Sequence, residues 1–190
     1  MAKKEIQFSL VYRDMWQSSG KYVPRKDQLA KIAPVIIDMG CFDRVETNGG
    51  ASEQVNLLYG ENPNIAVRTF TKPFNEAGIK THMLDRGLNA LRMNPVPADV
   101  RKLMYKVKHA QGVDITRIFC GLNDPRNIIP SIKWAKEAGM TAQATPFTVL
   151  GDIFAACSDI SKRYISANVS SLPTISGYLF TSARYISASS

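Results

Sequence analysis

The sequence predicts an α/β protein with a parallel sheet, and three observations carry that prediction. Short β-branched or apolar runs alternate with longer stretches of helical period from Ile6 to about Thr145. The runs begin near residues 6, 44, 79, 115 and 140, some 25 to 38 residues apart, a spacing that suits βα units of a barrel or of an open doubly wound sheet. Glycine or proline punctuates many of the junctions, as Pro24 does at a helix start and Gly40 and Gly139 do at helix ends.

The first unit pairs the strand-like IQFSLVY with PRKDQLAKIAPVIIDMG, in which Leu29, Ile32, Ile36 and Ile37 fall on one helical face. Pro34 lies inside that stretch and is expected to kink it or move its boundary. A short second strand, DRVETNGG, runs into the helical ASEQVNLLYG. The stretch ENPNIAVRTFTKPFNEAG, read only as Pro- and Asn-containing, leads to the third strand, IKTHMLD. After the loop RGLNALRMNPVP comes ADVRKLMYKVKHAQG, with Val100, Leu103, Met104 and Val107 at i, i+3, i+4 and i+7, the cleanest amphipathic pattern in the chain. The strand DITRIFC, the helix RNIIPSIKWAKEAG and the strand MTAQAT complete five strands.

At Pro146 the texture changes. Residues 146–190 hold ten of the fifteen serines and only five charged residues, and Arg163-Tyr164-Ile165-Ser166-Ala167 recurs as Arg184-Tyr185-Ile186-Ser187-Ala188. This gives two regions, an α/β part over 1–145 and a divergent tail over 146–190. The tail is foreign to the βα pattern, as a frame-shifted or truncated reading frame would be; a genuine Ser-rich extension is the alternative.

Composition bounds the function. The 190 residues exceed what a small domain needs but fall short of the roughly 250 typical of a complete eight-fold α/β barrel. Apolar content of 45% and charged content of 21%, with no long apolar run and no signal-like start, predict a cytoplasmic protein without a membrane span. The net charge of +8 is dispersed along helical patterns, which argues against a nucleic-acid partner. Cys41, Cys120 and Cys157 have no CxxC spacing, so neither a disulfide framework nor a structural zinc site is suggested.

Polar residues gather at the predicted C-terminal strand ends, where a parallel barrel builds its active site. They are Arg13, Asp14 and Gln17, then Glu46 and Asn48, then Asp85, Arg86 and Asn89, then Cys120, Asn123 and Asp124. Asp14 is a candidate divalent-cation ligand or the cap of a turn. Arg86 is a candidate clamp for a substrate carboxylate or half of an ion pair with Asp85 or another acid. Gly49 and Gly50 match no phosphate-binding signature and suit a tight βα turn. His82 and His109 form no HxH or HExxH pair, and Cys120 has no histidine partner, so neither a complete histidine metal site nor a cysteine nucleophile is assembled.

Taken in order, YRDMWQS, RVETNGGAS, MLDRGLNAL and RIFCGLNDPRN resemble the carboxyltransferase domain of biotin-dependent enzymes: oxaloacetate decarboxylase in its alpha subunit, pyruvate carboxylase, and the pyruvate-binding subunit of transcarboxylase. The resemblance covers about three quarters of the chain, and implies the N-terminal part of a TIM (β/α)8 barrel of about five βα units. It implies Asp14 as a ligand of a catalytic zinc, manganese or cobalt ion, Gln17 as a residue that helps hold pyruvate, and Arg86 as the catalytic, substrate-binding partner of its carboxylate. The expected chemistry is carboxyl transfer between biotin, on a carrier domain or a biotin carboxyl carrier protein, and pyruvate or oxaloacetate through an enolate.

Departures stand beside the match. Trp16 replaces the family's His in RDxHQS, Leu88 replaces Gln in RGQN, and Cys120 stands where FDALND has a carboxylate. The family's KDMAG-like lysine segment and HxH ligands have no counterpart after Thr145, so the chain is expected to be inactive by itself. A parallel sheet with an open edge also invites association, including a homo-oligomer. The rival from another class is a non-catalytic α/β assembly module.

Overall fold

The computed structural model describes residues 7–11, 13 and 24–145. Five parallel strands lie in the order β1-β2-β3-β4-β5: Ser9–Leu10, Arg44–Gly49, Lys80–Arg86, Ile115–Phe119 and Thr141–Thr145. Each crossover moves one strand further in the same direction, as in the wall of a barrel, whereas a doubly wound sheet reverses. Among the described residues β1 and β5 are the two edges.

Helices cover one face. α1 (Lys26–Asp38) contains Pro34 rather than ending before it, and buries Leu29, Ala33 and Ile36, leaving Ile32 largely exposed. α2 (Gly50–Leu58) follows β2 directly. The stretch left without an element in the sequence forms α3 (Pro63–Glu76). Its start is written locally: Pro63 occupies the first turn and the Asn62 side chain accepts from the Asn64 N–H at 2.9 Å. α4 (Ala98–Ala110) and α5 (Pro125–Glu137) complete the layer. Leu29, Ala33, Ile36, Val45, Phe70 and Phe74 form one core cluster, in which the Phe70 and Phe74 rings meet edge to face at 5.4 Å. A second joins Val67, Met83, Leu91, Tyr105, Val113, Ala135 and Met140.

Of the apolar stripe of α4 only Met104 packs against this core. Val100, Leu103 and Val107 are exposed, and the buried residues are Arg101, Tyr105 and Lys108. Each buried polar head has a partner. Arg101 donates to the Gly87 carbonyl and lies over the Trp134 ring at 5.1 Å, the Tyr105 hydroxyl donates to Asp85 at 3.3 Å, and Lys108 pairs with Glu53. Long stems packed on apolar surface outweigh the hydropathy of their ends, a property that periodicity does not register.

Candidate active site on the inner face of the sheet

Strand alternation sorts the strand residues onto two faces. Met83 and Ile118 enter the helix-covered core, so their neighbours His82, Leu84, Arg117 and Phe119 lie on the opposite, inner face. Register carries that face across the sheet: Ser9 to Arg44, Glu46 to His82, Leu84 to Arg117 and Arg117 to Gln143.

The inner face is rich in cations. The buried Arg13 Nε donates to Glu46 Oε2 at 3.2 Å. Glu46 Oε1 lies 3.8 Å from His82 Nδ1, and His82 Nε2 meets Ser9 Oγ at 2.9 Å. Burial, and then the positive charges of Arg117, Arg44 and Arg13, lower the His82 pKa to about 3. At neutral pH the imidazole is uncharged, so its approach to Glu46 is no ion pair. Its Nδ1 is buried without a hydrogen-bond partner among the described residues.

Gly49 and Gly50 hold the two guanidinium groups of the mouth. A Cβ on Gly49 would stand 2.8 Å from Arg13 Cδ and 2.9 Å from its Nε, and a Cβ on Gly50 would collide with Arg86 Nη1. Gly49 is extended, with φ at 171°, so close approach and not backbone strain requires glycine there. The tight βα turn expected of this pair is present, since β2 ends at Gly49 and α2 begins at Gly50, and the pair also makes room for arginines. Arg86 Nη1 donates to the Arg92 carbonyl at 3.2 Å.

The sequence-predicted strand ends converge only in part. Arg13, Glu46 and Arg86 share the inner face. Asp14, Gln17 and Trp16, like the tail over 146–190, lie outside the described residues. Asp85 points the other way and is fully buried against Thr116 and Tyr105, so the alternative Arg86–Asp85 ion pair does not form. Burial pushes the Asp85 carboxyl up to about 7, against the hydrogen bonds from Thr116 and Tyr105. Asn48 is turned to the helix side by a register shift between Glu46 and Asn48, which sets it beside Met83, and it accepts from Ser52 at 3.1 Å.

Cys120 packs with Ile118 and Ile128 in the helix layer, and Asn127 Nδ2 donates to its sulfur at 3.2 Å. Burial raises its thiol, but the Asn127 bond and backbone bonds from Asp124 and Leu122 outweigh it and bring the pKa below the ordinary value. Asn89 donates to the Met93 carbonyl, and Asp124 caps α5 through the Arg126 N–H at 2.9 Å while pairing with the Arg126 side chain. Arg44 and Arg117 escaped the sequence reading because one opens a strand and the other lies inside one, away from the C-terminal strand ends. The available signal was a charge amid β-branched residues, as Arg117 is between Thr116 and Ile118.

No family model matches the chain. Among curated relatives, it is 32% identical over 133 residues to a pyruvate carboxylase subunit of Methanocaldococcus jannaschii, covering 70% of this chain and 23% of that protein. It is 30% identical over 156 residues to the methylmalonyl-CoA carboxyltransferase 5S subunit of Propionibacterium freudenreichii subsp. shermanii, covering 76% of this chain and 30% of the relative. The chain belongs to the carboxyltransferase family of biotin-dependent enzymes. A third relative in that family, the 2-oxoglutarate carboxylase large subunit of Hydrogenobacter thermophilus, is 35% identical over 146 residues, or 75% of this chain and 22% of its own length.

The chain thus spans less than a third of the length of these relatives. The fold agrees: the carboxyl transferase domain of Rhizobium etli pyruvate carboxylase solved with oxamate and biotin superposes with a TM-score of 0.71 at 23% identity, covering 83% of this chain and 27% of that one. The same domain solved with 3-hydroxypyruvate gives 0.73 at 20% identity, covering 84% and 29%. The five-stranded sheet is therefore a portion of a carboxyltransferase TIM barrel. Among the described residues no group of three or more His, Cys, Asp or Glu side chains is placed to hold a metal ion, and no helix is long and apolar enough to cross a membrane.

Proposed function

We propose that the inner face carries the keto-acid half of a biotin-dependent carboxyl transfer, with Arg86 as the residue that grips the carboxylate of pyruvate or oxaloacetate. The observation that carries this reading is the placement of Arg86: inner face, strand end, and a guanidinium lodged where Gly50 has no side chain. A planar fork in that position offers a carboxylate two parallel N–H donors. When pyruvate loses a methyl proton, negative charge spreads onto its keto oxygen as an enolate, and the excess of guanidinium over carboxylate on this face favours that state. Biotin on a carrier domain or a carrier protein would deliver the carboxyl group, and Gln17 would help hold the keto acid.

Asp14 is the metal ligand that the family resemblance implies. The described donors do not complete a site for zinc, manganese or cobalt, because Glu46 is engaged by Arg13 and His82 stands alone. No step here is routed through a metal. On this reading the chain by itself binds the keto acid without turning it over.

Calorimetric titration with pyruvate tests the reading. Wild type is expected to show saturable binding that weakens about tenfold or more in Arg86→Gln, since a charge-assisted pair of hydrogen bonds is lost. Equal binding by the variant and wild type would rule Arg86 out as the carboxylate clamp.

A further inference from the structure

We propose that Arg117 is a second carboxylate-binding residue on the inner face, and that with Arg86 it selects a 2-oxo dicarboxylic acid over a 2-oxo monocarboxylic one. The part assigned to Arg86 rests on the function proposed above; the part assigned to Arg117 rests on its own surroundings.

Among the described residues five cations lie on this face, and four have partners. Arg13 pairs with Glu46, Arg44 Nη2 donates to Gln7 at 2.6 Å, Lys80 pairs with Asp114 at 3.2 Å, and Arg86 donates to the Arg92 carbonyl. Arg117 is half-buried, yet it has no hydrogen bond or ion pair among the described residues. Five N–H donors and a full charge are therefore withdrawn in part from water without a protein acceptor, an arrangement that costs free energy unless an anion arrives.

The nearby groups do not neutralise it. Glu46 is engaged by Arg13. His82 is buried with an unpartnered Nδ1, on the register pair next to the Leu84–Arg117 pair, and carries no negative charge to offer. The residues in register with Arg117 are Leu84 and Gln143, both neutral. Arg117 also contributes to the positive field that keeps His82 unprotonated.

The position relative to Arg86 sets the ligand class. Arg86 is in register with Phe119, two residues beyond Arg117 on β4. Two residues along a strand and one strand across place the two Cα atoms roughly 8 Å apart on the same face. Long side chains from those points can meet the two ends of one small diacid. A monocarboxylate satisfies Arg86 and leaves Arg117 as it is.

The test uses a matched pair of probes, 2-oxoglutarate and 2-oxovalerate, which share a five-carbon 2-oxo acid chain and differ in the distal carboxylate. Dissociation constants are measured on the full chain by calorimetry. Wild type is expected to favour 2-oxoglutarate about tenfold or more. Arg117→Gln is expected to bind both acids alike, with a melting temperature at or above that of wild type, since an uncompensated charge has been removed.

Three results would overturn the proposal: no preference in wild type, a preference that survives Arg117→Gln, or a marked fall in the melting temperature of that variant, which would give the guanidinium a structural partner. Arg86→Gln separates the two readings. If it binds both acids as wild type does while Arg117→Gln abolishes the preference, the Arg86 clamp fails and the Arg117 site stands.

Discussion

Two buried carboxylates on neighbouring strands, Glu46 and Asp85, sit on opposite faces of one sheet and live in opposite environments. Glu46 faces inward, is held by the Arg13 guanidinium and lies among cations. Asp85 faces the helices, accepts from the hydroxyls of Thr116 and Tyr105, and has its pKa pushed up to about 7 by burial. The difference teaches which face can do chemistry on an anion. On the outer face burial disfavours the charged form of Asp85, whereas the inner face gathers charge and leaves one guanidinium without a partner among the described residues.

The largest expected effect is on the outer face. Tyr105 is fully buried, and Tyr105→Ala opens a core cavity beside Met83 while removing a donor to Asp85; a loss of about 4 kcal/mol in urea unfolding is expected. On the inner face, Glu46→Ala removes the carboxylate that the buried Arg13 guanidinium donates to and is expected to cost about 3 kcal/mol, with Glu46→Gln costing less because one acceptor oxygen remains. Similar small losses for both Glu46 variants would show that the Arg13–Glu46 pair does not anchor that face.

Next comes a pair of opposed pH dependences. Asp85 has a folded pKa raised from 3.8 to about 7, so its contribution to stability is full below pH 3.8 and disappears as pH rises through about 7. His82 has a folded pKa lowered from 6.5 to about 3, so its contribution is full above pH 6.5 and disappears as pH falls through about 3. Between about pH 4 and 6.5 the two slopes oppose each other, each on the order of 1 kcal/mol per pH unit. Asp85→Asn should therefore make stability rise with pH across that window, and His82→Gln should make it fall. Urea unfolding of wild type and both variants at stepped pH checks this, and unchanged profiles in both variants would contradict the account.

The smallest effect expected is for Leu103→Ala, within about 0.5 kcal/mol of wild type, because that side chain is 58% exposed. A loss of about 2 kcal/mol or more would restore the apolar stripe of α4 to the core.

Strand and helix order was legible in the sequence because β-branched runs, glycine stops and proline starts are local signals, and the strand ends supplied Arg13, Glu46 and Arg86 as neighbours. Three features were hidden, each for a physical reason. The α3 helix carries Pro63 and Pro73, which read as breakers although the first occupies a favourable first turn. Facing on α4 is set by Arg101, Tyr105 and Lys108, whose stems pack while their heads find partners across long sequence distances. The side taken by Asn48 depends on a register shift within β2, and Gly49 and Gly50 acquire their meaning only when the arginines that approach them are seen.

The central claim is that the inner face binds a keto acid through Arg86 while the outer face does not take part. Calorimetric titration of pyruvate into wild type, Arg86→Gln and Asp85→Asn tests it most directly. Binding retained in Asp85→Asn and weakened about tenfold or more in Arg86→Gln is the predicted result. Binding that persists in Arg86→Gln, or that is lost in Asp85→Asn while the fold is intact, would contradict it.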